Sequence, residues 1–191
     1  MVTKRRAGIL SVLTVILAVL CMAAPAMAAT WVVNPDGTGD FTTIQAALDS
    51  EWTSGDTIEI TYAVYNEPVA VNADGGALTI TGIPSPTGDL PVIDGMDGII
   101  ELPGLIDGWL GCGECSMFLY NGNFDVSCLS VTNASNNGLV VRAAEFGQTV
   151  HVTDVEAAEN GWFGINIIDY DEAVVTGIVA CENGWAGLPR P

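Results

Sequence analysis

Val152-Thr153-Asp154-Val155-Glu156-Ala157-Ala158-Glu159-Asn160-Gly161-Trp162-Phe163-Gly164 and Val175-Thr176-Gly177-Ile178-Val179-Ala180-Cys181-Glu182-Asn183-Gly184-Trp185-Ala186-Gly187 align without a gap at an offset of 23. Identity holds at Val, Thr, Ala, Glu, Asn, Gly, Trp and Gly. Asn137-Gly138 stands 23 residues before Asn160-Gly161, so three Asn-Gly pairs share one spacing. A fixed spacing of this length is the signature of a solenoid, and residue type decides which one. Leucine-rich repeats need regularly placed leucines, and helical repeats need longer, alanine- and leucine-rich units. Here the segments Val150 to Val155, Gly164 to Ile168 and Ala173 to Ile178 are short, rich in β-branched residues and bounded by Gly, Asn and Asp. That pattern predicts short strands joined by tight turns, one rung of a parallel coil per repeat.

Strand alternation sends Ile165 and Ile167 inward and Asn166 outward. Stacked rungs put like residues above one another at about 4.8 Å. Asn137, Asn160 and Asn183 are therefore expected to form a side-chain amide ladder inside a turn. The fold class expected is all-β, a single-stranded right-handed parallel β-helix with 23-residue rungs after Asn137 and irregular rungs before it.

The upstream sequence supplies the start of such a coil. Asn34-Pro35-Asp36-Gly37-Thr38-Gly39-Asp40-Phe41 reads as a Gly-rich turn. The following Thr42-Thr43-Ile44-Gln45-Ala46-Ala47-Leu48-Asp49 predicts a capping helix over about residues 42 to 50. Thr42 and Gln45 have capping-box spacing, and Ile44, Ala47 and Leu48 share one apolar stripe. A helix there covers strand edges that would otherwise pair with other chains. Gly55 to Ile60, Tyr65 to Val71, Leu78 to Gly82 and Pro91 to Gly95 then read as the first rungs.

This order of turn, helix and short strands resembles the opening of pectin-lyase-like β-helix proteins, and with the later repeats the resemblance spans nearly all of residues 29–191. It implies the fold, while one fold hosts many functions. Tyr65-Asn66-Glu67 is similar to the first pectinesterase motif, with Ala63 where that motif has glycine. The segments resembling Gln-Asp-Thr-Leu and Asp-Phe-Ile-Phe-Gly that complete a pectinesterase are absent. So are the Asn-Thr-Asp, Asp-Asp, Gly-His-Gly and Arg-Ile-Lys motifs of polygalacturonases. Pectate lyases use an arginine or lysine base beside acidic calcium ligands. Arg142 is the arginine that such a comparison would draw on, with Asp169, Asp171 and Glu172 as calcium candidates about one rung later.

Residues 1–28 read as a secretory signal peptide: Lys4, Arg5 and Arg6, an apolar run from Ile9 to Met22, and Ala26-Met27-Ala28 as the cleavage site. The run is shorter than the roughly 20 residues of a membrane span. Residues 29–191 then form one β-helix domain, expected to be incomplete at its C-terminal end and open to end-to-end self-association. The chain is expected to be secreted or at the cell surface, with the periplasm as a further location.

The whole chain carries 23 acidic and five basic residues, net −18. Cleavage after Ala28 leaves only Arg142 and Arg190 as basic residues. Such a surface repels nucleic acid and anionic membranes, and repels a polyanionic glycan unless a divalent cation intervenes. The acidic surface reads first as a device for solubility or a saline habitat, and calcium is the cofactor that Asp169, Asp171 and Glu172 would serve. Asp36 and Asp40 flank two glycines without the spacing of a calcium loop and read as a turn.

Cys112-Gly113-Glu114-Cys115 has no second pair or histidine to complete a zinc site, and a local loop disulfide is expected. Cys128 and Cys181 are left unpaired. His151 is the sole histidine and reads as a solvent-facing strand residue. Asn133-Ala134-Ser135 has the form of a glycosylation acceptor. Trp162 and Trp185 hold the same repeat position and predict an aromatic strip near Tyr170, able to stack on the apolar faces of sugar rings. The functional reading is an exported module that binds carbohydrate or a glycan-bearing surface without catalysis. Its alternatives are a fragment of a polysaccharide lyase or other pectin-active enzyme, and a structural surface or adhesin stalk.

Overall fold

The computed structural model describes residues 27–96 and 114–184. The signal-like segment up to Ala26, Cys112, Trp185 and Arg190 lie outside the described residues. Strand β1 (Thr30–Val33) and helix α1 (Ile44–Leu48) come first. They are followed by β2 (Thr57–Thr61), β3 (Val64–Tyr65), β4 (Val69–Asn72), β5 (Ala77–Ile83), β6 (Val92–Asp94) and β7 (Met117–Tyr120). After these come β8 (Asn123–Ser127), β9 (Ser130–Thr132), β10 (Leu139–Arg142), β11 (Thr149–Thr153), β12 (Glu156–Ala158), β13 (Ile165–Ile168), β14 (Glu172–Thr176) and β15 (Val179–Cys181).

Every strand pairing is parallel. The first sheet runs β1-β2-β5-β8-β11-β14, the second β3-β6-β9-β12-β15 and the third β4-β7-β10-β13. From β2 onward successive strands of the chain fall in different sheets, and each full circuit adds one strand to each sheet. This is the expected single-stranded right-handed parallel β-helix, with the hand that parallel crossovers of right-twisted strands adopt.

Alternation builds the core. In the first sheet Ile58, Ile80, Val126 and Val152 lie inward and buried, between outward Thr57, Glu59, Thr79, Thr81, Asp125, Ser127, His151 and Thr153. Leu119, Leu139 and Ile165 line the coil from the third sheet, and Ile93, Val131 and Ala157 from the second. Each such side chain withdrawn from water contributes about 1.5–3 kcal/mol for the larger residues. Ile165 is fully buried and Ile167 packs against the core, as the alternation predicts. In the last described rung, Ala173 and Val174 are exposed and Val175 is half-buried.

Corners are made by single residues in left-handed backbone conformation. Cys128, Asp154 and Gly177 follow β8, β11 and β14 with φ of 56°, 53° and 65°; Asn133, Glu159 and Glu182 follow β9, β12 and β15 with 58°, 58° and 55°. The repetition of this uncommon conformation at matched positions turns the chain by the same route on each rung.

Two expectations about local structure are corrected. Helix α1 starts at Ile44, not near residue 42. Its N-cap is Thr43, whose Oγ1 accepts the Ala46 N–H at 3.2 Å, so the Thr42–Gln45 box is not formed. Glu67 supplies the missing acceptors from a later strand connection: Oε1 takes the Ile44 N–H at 2.7 Å and Oε2 the Gln45 N–H at 3.2 Å. The Gln45 side chain instead pairs with the Ala70 main chain, accepting its N–H at 2.8 Å and donating to its carbonyl at 3.0 Å. Ile44, Ala47 and Leu48 are buried beneath the helix, which closes that end of the coil as expected.

The second correction concerns register. Between β11 and β14 the offset is 23, as for Thr153 and Thr176, but between β8 and β11 it is 26, as for Asp125 and His151. The connection between β10 and β11 spans residues 143–148, twice the 169–171 that join β13 to β14. Asn160 consequently stacks over Ala134, whose N–H it accepts at 3.1 Å, while Asn137 Oδ1 takes the Phe163 N–H at 3.3 Å. Among the described residues the amide ladder joins Asn160 to Asn183, and Asn137 lies three residues out of step.

Candidate functional site

Trp162 lies in the turn between β12 and β13. Its N–H donates to Asn136 O on the rung below at 2.7 Å, and its indole stands edge-on to Phe163, ring centroids 6.4 Å apart and planes at 83°. The residue is 52% exposed. Tyr170 is placed elsewhere. It follows β13, so a four-residue strand of about 13 Å separates the two aromatic positions. It packs against the core, and its hydroxyl donates to Gly122 O at 3.0 Å. Burial pushes its phenol well above the ordinary value. Tyr170 therefore does not join an exposed strip with Trp162.

The three acidic candidates also diverge. Asp169 Oδ2 lies 3.6 Å from Arg142 Nε in an ion pair. Asp171 accepts the Gly147 N–H, and Glu172 sits in β14 opposite Thr149. Among the described residues, no group of three His, Cys, Asp or Glu side chains is arranged to hold a metal ion. Asp36 and Asp40 serve the turn: Asp36 Oδ1 accepts from the Thr38 hydroxyl and N–H, and Asp40 Oδ2 accepts the Val32 N–H. The Thr38 bonds hold the Asp36 carboxyl below its ordinary range.

Cys115 is disulfide-bonded, while Cys128 and Cys181 carry free thiols. The Asn133 amide donates to Asp94 Oδ2 at 3.0 Å, so the nitrogen a glycan would occupy already has a partner.

One constellation escaped the sequence reading. His151 Nδ1, midway along β11, lies 2.6 Å from Asp125 Oδ1, midway along β8, on the first sheet's outer face, with side chains 49% and 60% exposed. Hydroxyl pairs flank it: Thr81 with Ser127 at 2.8 Å, and Thr176 donating to Thr153 at 3.3 Å. Asn123 Oδ1 accepts the Thr149 N–H at 2.8 Å and its hydroxyl at 3.2 Å. The Nδ1 contact leaves Nε2 as the nitrogen available to a ligand. Asp125 and His151 are 26 residues apart, so a uniform 23-residue repeat does not bring them together.

The molecule is thus a parallel β-helix protein with a polar, hydroxyl-rich outer sheet and an aromatic turn. No protein-family model matches the sequence, and no curated protein does. Among solved structures, a pectin methylesterase in complex with a hexasaccharide is similar at 16% identity and a TM-score of 0.47. The alignment covers 84% of this chain and 56% of that one. The assignment of the fold rests on the strand register described above.

Proposed function

We propose that the chain is an exported β-helix module that binds a neutral carbohydrate, free or on a surface, without catalysing its breakdown. The observation that carries the reading is Trp162, half exposed on a turn fixed by the Asn136 hydrogen bond. An indole presented on a rigid element offers area to the C–H faces of sugars at little entropic cost. Charge selects the class of glycan: against 23 acids, the one arginine among the described residues is engaged with Asp169, leaving little to attract polyuronates. The signal-like sequence of residues 1–28 and the disulfide at Cys115 support export to an oxidising compartment.

Affinity electrophoresis in gels cast with neutral or acidic polysaccharides tests the reading. The wild-type chain is expected to be retarded by at least one neutral polysaccharide. Trp162→Ala is expected to lose most of that retardation while unfolding at the wild-type urea midpoint. Wild-type mobility unchanged in every neutral gel would refute the proposal and favour a stalk.

A second reading, a polysaccharide-active enzyme, draws on His151 and Asp125, a carboxylate-oriented imidazole on an exposed sheet face. Release of reducing or unsaturated ends from a polysaccharide panel, with and without calcium, and its loss in His151→Gln would establish it. No turnover across the panel would remove it.

A further inference from the structure

A cleft of about 500 Å³ opens at the end of the coil near α1, between the segment following the helix and the turn joining β4 to β5. Leu48, Trp52 and Ala73 supply its apolar wall, and Ser54, Asn72 and Asp74 its polar edge. Its volume falls in the range of small-molecule sites, about 300–1,000 Å³. Both walls are fixed. The Trp52 indole donates to Leu48 O at 2.9 Å and packs against the core, so its plane is set. The facing turn is closed by the Gly76 N–H on Ala73 O at 2.8 Å. Its central residues, Asp74 at φ 48° and Gly75 at φ 81°, both take the left-handed backbone conformation of a tight primed turn.

The hydrogen-bonding capacity left over defines the ligand. Asn72 Oδ1 already accepts the Asp74 N–H at 3.0 Å, which leaves the amide NH₂ to donate. Ser54 Oγ already accepts the Ala77 N–H at 3.0 Å, which leaves its hydroxyl proton to donate. The Asp74 carboxylate accepts no hydrogen bond among the described residues. The cleft therefore offers two donors, a remaining lone pair on each of the Asn72 and Ser54 oxygens, one unspent carboxylate and an indole face. A bare cation would meet donors on two sides, and an anion would meet Asp74. A ligand carrying hydroxyls, each able to give and accept, satisfies the set, with its C–H face against Trp52.

We propose that this cleft is a subsite for one sugar residue of a neutral glycan, distinct from the Trp162 turn; the inference rests on the carbohydrate-binding reading. Asp74 takes two neighbouring hydroxyls, while Asn72 and Ser54 donate to ring or hydroxyl oxygens.

The test is NMR of the ¹⁵N-labelled, untagged chain titrated with the methyl glycosides of glucose, galactose, mannose and xylose, and separately with calcium chloride. At least one glycoside is expected to move the Trp52 indole N–H and the Asn72 amide signals saturably. Asp74→Asn and Asn72→Ala are expected to weaken that binding about tenfold each, the scale of one hydrogen bond to a charged or well-placed group. Trp162→Ala should leave the shifts intact, and Trp52→Phe, which keeps an aromatic ring but loses the indole bond to Leu48 O, should reduce affinity in a chain that urea unfolding shows to be still folded. If the glycosides leave Trp52 unmoved while polysaccharide gels still retard the wild type through Trp162, the subsite falls and the module reading stands. If calcium alone perturbs Asp74, the cleft is a cation site and the inference is overturned. If neither sugars nor gels produce a response, both proposals fall.

Discussion

Asn160 Nδ2 donates to Asn183 Oδ1 across 3.0 Å, and the same oxygen takes the Asn160 main-chain N–H at 3.1 Å. On its other side Asn160 Oδ1 accepts from Ala134 N, and Nδ2 also reaches the carbonyls of Val131 and Ala158 at 3.2 and 2.9 Å. One side chain, 2% exposed, thereby ties three rungs. Asn160→Ala would leave buried main-chain groups without partners, at about 1–3 kcal/mol each. We expect a stability loss of about 3 kcal/mol in urea unfolding, against about 1 kcal/mol for Asn183→Ala, whose side chain is half-buried and whose bonds to the Asn160 N–H, Asn160 Nδ2 and Ala157 carbonyl are more open to water. Equal losses would show that the ladder does not work through burial.

Glu67 caps α1 from outside the helix, and its removal should be felt at the two amides it holds. Glu67→Ala is expected to cost about 1 kcal/mol, the scale of an N-cap, and Glu67→Gln about half that. Hydrogen exchange at Ile44 and Gln45 is the direct measurement; protection unchanged in Glu67→Ala would mean that packing alone holds the helix. The role also explains the Tyr65-Asn66-Glu67 stretch in structural terms. The Tyr65 hydroxyl shares its one proton between the Thr61 and Val33 carbonyls, at 3.0 and 3.2 Å, so both ends of the motif pin the first rungs to the cap.

The strands and the cap could be read from the sequence because both are local. Alternation around Ile165 and Ile167 needs only neighbours, and so does the apolar stripe of α1. Register could not, because it depends on turn length. The connection at residues 143–148 is longer than its counterpart at 169–171 and leaves no mark on strand alternation. Asn137-Gly138 imitated a repeat at the 23-residue spacing while sitting three positions out of step. The same shift hid the pairing of Asp125 with His151. Glu67 on α1 and Trp52 facing Asp74 join segments from successive circuits, and no short motif encodes such a meeting.

Acid should destabilise the protein partly through Asp56. Its carboxylate accepts the Ala29 N–H at 2.7 Å and the Thr53 N–H at 2.8 Å, with the Trp31 indole N–H at 3.3 Å. The Ala29 bond first, and the Thr53 bond next, hold its pKa below the ordinary 3.8. A depressed folded value contributes stability that is complete above the unfolded value and lost as pH falls through the folded one. The wild-type unfolding midpoint should therefore drop on acidification below about pH 4, where the ordinary carboxylate begins to protonate. Asp56→Asn should be weaker at neutral pH and flatter in that acid window. Parallel wild-type and variant curves would exclude Asp56 as the source.

Tyr170 gives the opposite sign at the alkaline end. Its hydroxyl bridges from the turn after β13 to Gly122 O, and its ring packs against the core, so ionisation would put a charge at a half-buried position that water reaches only in part. Burial raises its pKa above the ordinary 10.0, so the stabilisation is full below that pH and lost as pH rises through the folded value. Tyr170→Phe keeps the packing and deletes the hydroxyl, at an expected cost of about 1 kcal/mol near neutral pH. The variant should also retain stability in alkali better than the wild type, because no buried phenolate can form. Tyrosinate absorbance should show the wild-type signal lagging behind that of the unfolded chain, with part of the lag gone in Tyr170→Phe. Because this ring faces inward, the substitution should leave retardation in neutral polysaccharide gels unchanged. Loss of retardation with an intact fold would return Tyr170 to the binding surface, contrary to its observed hydrogen bond.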